Sequence, residues 1–152
     1  MKIKTLVALG ALINIAPSWA FTCYYTLAKD NCWTDYTVTV DVINSKTGSP
    51  LTTVTVPKGE QWSRQMFECE PDLKLMYTAR FSPVFWQSDI GKTYSAQNFW
   101  SLPSKINPGD SAWNVSVCYP ADFSQVPMPP QAIASCKCDF TSIPAIPLKK
   151  IP

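Results

Sequence analysis

The sequence predicts an all-β protein. The expected form is a single antiparallel β-sandwich, immunoglobulin-like or a small barrel as a variant, stapled by disulfides and followed by an irregular proline-rich C-terminal segment. Three observations carry this reading. Short runs alternate apolar with polar residues between turn signals, and none sustains the 3.6-residue period of an amphipathic helix. All six cysteines follow an export-type leader, the setting in which cysteines pair. Pro120, Pro127, Pro129 and Pro130 exclude regular structure from much of the chain after Tyr119.

The first element is the leader. Lys2 and Lys4 make a short basic start, Leu6 to Ala16 is apolar, Pro17 ends the run, and Ser18-Trp19-Ala20 offers small residues for cleavage after Ala20. The apolar run is about half the ~20 residues that a membrane-spanning helix needs. Phe21 is too bulky for the site before a lipidated Cys23. The lysine-led brevity of the leader suggests a bacterial chain. We therefore expect residues 1–20 to be a cleaved signal peptide, residues 21–140 a disulfide-stapled domain, and residues 141–152 an extended tail containing proline. No later segment is apolar for long enough to span a bilayer.

Of the 13 basic and 11 acidic residues, only Lys2 and Lys4 fall in the leader, so the remainder carries 11 of each. The basic balance of the full chain belongs mostly to the leader. No positive field remains to attract nucleic acid or an anionic membrane.

Within the domain, Tyr36 to Ile43 alternates, with Val38, Val40 and Val42 on one face and Thr37, Thr39 and Asp41 on the other. After the turn-rich stretch Asn44 to Pro50, the run Leu51 to Val56 alternates again, so the two predict a hairpin. Pro57-Lys58-Gly59-Glu60 is the next turn, and Gln61 to Phe67 a less regular strand. Leu73, Leu75, Tyr77, Ala79 and Phe81 share one face of the clearest strand. Asn107-Pro108-Gly109-Asp110 fits a type II turn, followed by a strand with Trp113, Val115, Val117 and Tyr119 on one face.

The cysteines Cys23, Cys32, Cys69, Cys118, Cys136 and Cys138 predict three disulfides. Cys136 and Cys138 are too close to bridge each other without strain. The spacing suggests a local Cys23–Cys32 bridge, with Cys69 and Cys118 each taking one of the C-terminal pair. Cys118 lies on the polar face of its strand, so its partner should arrive over the outer face or from a neighbouring strand, rather than through the core. The bridges would then pin an N-terminal loop and the proline-rich segment to the sandwich. Beyond Phe140 the chain reads as polyproline-like, either a frayed terminus or a docking segment.

The absence of histidine excludes Ser-His-Asp and Cys-His catalysis and most transition-metal sites. No glycine-rich phosphate loop is present, and no cofactor is expected. Glu68, Glu70 and Asp72 form the densest acidic cluster, a weak calcium candidate on a bend and the place around which a carboxylate-dependent hydrolase would be built. The stronger candidate is aromatic: Phe85, Trp86, Tyr94, Phe99 and Trp100, mixed with Gln87, Asp89 and Asn98. Adjacent Phe-Trp pairs should each turn one ring outward, and exposed rings beside amides and carboxylates suit sugar stacking or protein contact. The expected function is thus a non-enzymatic exported module, periplasmic or extracellular, that binds a protein or glycan through this aromatic surface. The alternatives are the secreted hydrolase and a disulfide-stabilised structural or virulence-type accessory protein.

Overall fold

The computed structural model describes Gly10, residues 21–133 and residues 135–147. Apart from Gly10, the expected signal peptide lies outside the described residues, as do the last five residues of the tail. The described chain is an all-β sandwich of eight strands in two sheets. These are β1 (Phe21–Lys29), β2 (Thr37–Asn44), β3 (Pro50–Val56), β4 (Trp62–Cys69), β5 (Lys74–Ser82), β6 (Tyr94–Ser95), β7 (Trp100–Ser101) and β8 (Trp113–Tyr119). The first sheet has the order β4-β1-β8 and the second β3-β2-β5-β6, with β7 also pairing β5. Pairing is antiparallel throughout except between β1 and β8, which run parallel.

The period-2 pattern fixes which side chains meet between the sheets. Val38, Val40 and Val42 of β2, Val54 and Val56 of β3, and Val115, Val117 and Tyr119 of β8 are all completely buried. Leu75, Tyr77, Ala79 and Phe81 of β5, which lies beside β2 in the second sheet, point into the same core and are also buried. Burying an aliphatic or aromatic side chain of this kind contributes roughly 1.5–3 kcal/mol relative to leaving it in water. Trp33, on the 3-10 turn Asn31–Trp33, closes one end of the core. Its ring meets Tyr36, Phe81 and Tyr119 edge-on with centroids 5.2, 4.7 and 4.8 Å away, the geometry that the ring quadrupoles favour. The type II turn is present: Gly109 has φ +91°, and the Asp110 amide donates to Asn107 O at 3.0 Å.

The expected N-terminal loop is instead β1, the central strand of the first sheet. Cys23, Tyr25 and Leu27 alternate into the core and are fully buried. This strand also overturns the expected Cys23–Cys32 bridge. The six residue steps from Cys23 to Lys29 span about 20 Å of extended chain, far beyond the Cα separation that a disulfide tolerates. Cys23 pairs with Cys69 on neighbouring β4, so Cys69 does not join the C-terminal pair either. Cys32 pairs with Cys136, and Cys118 with Cys138. The expectation that Cys136 and Cys138 take different partners, one of them Cys118, describes the observed connectivity.

The outer face of the first sheet is covered as the position of Cys118 implies. The Cys138 sulfur sits 3.5 Å from Ala28 O and 3.7 Å from Tyr119 O. Arg64 of β4 donates through Nε to Thr26 Oγ1 at 2.8 Å, and through its terminal nitrogens to Pro144 O at 2.8 Å and Ala145 O at 3.4 Å. Thr26 in turn donates to Asn114 Oδ1 at 2.8 Å. One guanidinium therefore ties the described part of the tail to β1 and β8, and Ile143 and Ile146 are half-buried.

Candidate functional site

The aromatic stretch begins where β5 ends. Phe81 is buried, and Phe85 turns its ring back onto the core, 5.0 Å from Phe81, 5.1 Å from Tyr36 and 5.7 Å from Trp33. Its neighbour Trp86 points out and is 65% exposed. The chain then makes the 3-10 turn Gln87–Asp89, which carries Ile90 outward, also 68% exposed. Gly91, at φ +82°, supplies the left-handed step that returns the chain to the sheet. Lys92 then reaches back to the buried Asp89 with Nζ 2.8 Å from Oδ1, and this bond raises the lysine pKa.

Tyr94 of β6 is buried and stacks on Phe81 at 5.8 Å. Burial first, and then the Asp89 charge, push its phenol up, with Lys92 opposing. The next residues tie the stretch to the loop after β8. Gln97 N donates to Asp122 O at 2.9 Å, and Gln97 Nε2 donates to Ala121 O and Phe123 O at 3.0 and 3.1 Å. Phe99 faces outward at 56% exposure, with Lys74 Nζ 5.3 Å from its ring centroid. Trp100 of β7 pairs with Leu75 and packs half-buried on the core.

Among the described residues, two open clefts use this stretch as a wall. The first, about 480 Å³, is polar and is lined by Asp89, Lys92, Thr93, Tyr94, Ser95, Ser124, Gln125 and Pro127. The second, about 230 Å³, gathers Phe99 and Trp100 with Tyr77, Gln97, Asn98, Ser116 and Asp122. Burial and the Asp122 charge push the Tyr77 phenol up to about 12, so its proton stays on at neutral pH. The second cleft thus combines an exposed ring with amide, hydroxyl and carboxylate groups.

Of the aromatic candidates, the structure brings Phe99 and Trp100 into one cleft and places Tyr94 in the other. Trp86 stands on the surface outside both, and Phe85 belongs to the core. Asp122, Ser116 and Tyr77 were not singled out by sequence reasoning. Ser116 and Asp122 come from β8 and the loop after it, and no local pattern marks them as neighbours of Phe99.

The acidic candidates do not assemble. Glu68, Glu70 and Asp72 are exposed, line neither cleft, and do not converge as a ligand group. They serve a turn: Leu73 N donates to Glu70 O at 3.4 Å, Pro71 follows Glu70, and Asp72 takes φ +64°. Among the described residues, the one cluster of metal-ligand types is Asp30, Cys32 and Cys136. The two sulfurs there are joined to each other, so no thiolate is on offer.

The fold and the clefts define a disulfide-stapled β-sandwich with an aromatic, polar-rimmed recess beside its second sheet. No protein-family model matches the chain. No curated protein matches it in sequence.

Proposed function

We propose that this chain is an exported, non-enzymatic binding module of bacterial origin, delivered by a signal peptide over residues 1–20 to the periplasm or beyond the cell, and that it recognises a glycan through the Phe99 cleft. One observation supports this most: Phe99 is a large exposed ring on the rim of a recess whose other groups are Gln97, Asn98, Ser116 and Asp122. A sugar ring presents apolar C–H faces and a fringe of hydroxyls. The first suits an aromatic face, and the second suits carboxylate and amide partners. The three disulfides fit an oxidising compartment.

The test is a binding screen of the folded chain against cell-surface glycans. Phe99→Ala removes an exposed ring without opening the core, and the expected loss is about fivefold to tenfold in affinity. Unchanged affinity for every bound glycan refutes this site. A protein partner is the second reading, favoured by Trp86 and Ile90, which flank one short turn and are both largely exposed. In that case Trp86→Ala, and not Phe99→Ala, weakens binding.

A further inference from the structure

A third cavity lies apart from the aromatic clefts, between the 3-10 turn that follows β1 and the proline-rich segment. It holds about 330 Å³, near the lower end of the range for small-molecule sites. Its walls are apolar: Trp33, Pro120, Val126, Pro129 and the half-exposed Ile133, with the Cys32–Cys136 bridge beside them. Among the described residues, one ionisable group lines it. Asp30 is only 5% exposed.

Local structure does not account for a carboxylate at this place. Asp30 caps the turn, with Oδ1 accepting from Cys32 N at 2.9 Å. Asparagine or serine caps equally well and brings no charge to bury. No cation pairs with Asp30 among the described residues. Their two ion pairs are Arg80–Asp41 and Lys92–Asp89. The adjacent Lys29 spends its ammonium elsewhere, donating to Tyr36 O at 2.7 Å and Pro57 O at 2.9 Å. Burial accordingly raises the Asp30 pKa against the lowering effect of its backbone hydrogen bonds. A buried, unpaired carboxyl at the wall of an open apolar cavity lacks a countercharge, and the cavity is where one can enter.

We infer that this cavity is a binding site for a small organic cation, an apolar body carrying one ammonium group, with Asp30 as its counter-ion. The apolar body displaces water from the proline-lined wall, and the ammonium donates to Asp30 in a charge-assisted hydrogen bond.

Phenethylammonium, phenethyl alcohol and 3-phenylpropanoate share one ring and differ in the head group, so they serve as probes for titration into the full chain by calorimetry and amide NMR. Phenethylammonium is expected to shift the Cys32, Ala121 and Ile133 amides and to bind at least about tenfold tighter than the alcohol. The propanoate is expected not to bind. Asp30→Asn keeps a capping acceptor and should erase the preference while leaving the alcohol's affinity unchanged. Ala121→Trp, at an exposed position on the wall, should block both ligands in a chain whose circular dichroism is unaltered. Equal binding of ammonium and alcohol, a preference that survives in Asp30→Asn, or no binding by any probe overturns the inference.

Discussion

Lys29 gives the protein an unusual response to alkali. The residue is 1% exposed at the end of β1, and its ammonium donates to two backbone carbonyls without an ion-pair partner among the described residues. Burial disfavours the charge, Glu60 and Asp35 offset part of that penalty, and the pKa falls from 10.5 to about 8. In the unfolded chain the lysine keeps its ordinary value. From about pH 8 to pH 10.5 the unfolded state therefore holds the proton that the native state has lost, and the contribution of this lysine to stability rises with pH. One proton gives at most ~1.4 kcal/mol per pH unit, which integrates to about 2 kcal/mol between pH 7 and 10. Above about pH 10 the sign reverses. Tyr25, Tyr77 and Tyr119 are all raised by burial, Tyr77 to about 12. The unfolded chain then loses phenolic protons that the native chain retains, and stability falls. Urea unfolding followed by tryptophan fluorescence in steps from pH 7 to pH 9 reads the effect before the phenols titrate: about 1 kcal/mol accrues over that interval, and with a slope of about 1–3 kcal/mol/M the midpoint should climb by about 0.5 M. Lys29→Met removes the titrating group and should flatten the climb. A wild-type midpoint that stays level or drops over this interval, or a Met variant that climbs equally, refutes the reasoning.

Further outcomes follow from packing and connectivity. Trp33→Ala empties the end of the core and should lower stability by about 4 kcal/mol in the same unfolding assay. Replacing both cysteines of Cys32–Cys136 by serine should cost more than the same change at Cys118–Cys138, since their sequence separations are 104 and 20. The difference should be about 1 kcal/mol once the remaining bridges shorten the longer loop. Arg64→Ala should leave the unfolding free energy within about 1 kcal/mol of wild type yet speed proteolytic trimming of residues 140–147, because its guanidinium holds Pro144 and Ala145.

The strands that the sequence made legible are those whose two faces differ in kind. In β2, β3 and β8, valines alternate with threonine, serine, asparagine or aspartate, and every valine that the pattern turns inward is buried. β1 hides the same period because it is a central strand covered on both faces: Tyr24 stands beside inner-facing Tyr25, and every residue from Tyr25 to Lys29 is buried, so neither apolar count nor burial alternates along it. Once β1 is missed, sequence proximity makes Cys23–Cys32 look natural. Strand geometry forbids it. The aromatic stretch was visible as composition, but which rings turn outward was not. Strand alternation does not apply to residues 85 and 86, which lie in a loop, and β6 and β7 are only two residues each. The Asp30 cavity was invisible because its walls come from residues some ninety to a hundred positions apart, joined by the Cys32–Cys136 bridge.

The parallel pairing of β1 with β8 bears on the order of assembly. The β2–β3 hairpin needs only its own turn, so it can form as soon as both strands exist. β1 is emitted first by the ribosome but has no early neighbour: it pairs with β4 some forty residues later and with β8 some ninety later. β1, the middle strand of the first sheet, therefore keeps both edges unpaired until β4 is made and one edge open until β8 arrives, and open edges are prone to stray contacts. A chain threaded through a membrane before it folds meets this topology without conflict, because its first strand need not commit until its last one has arrived.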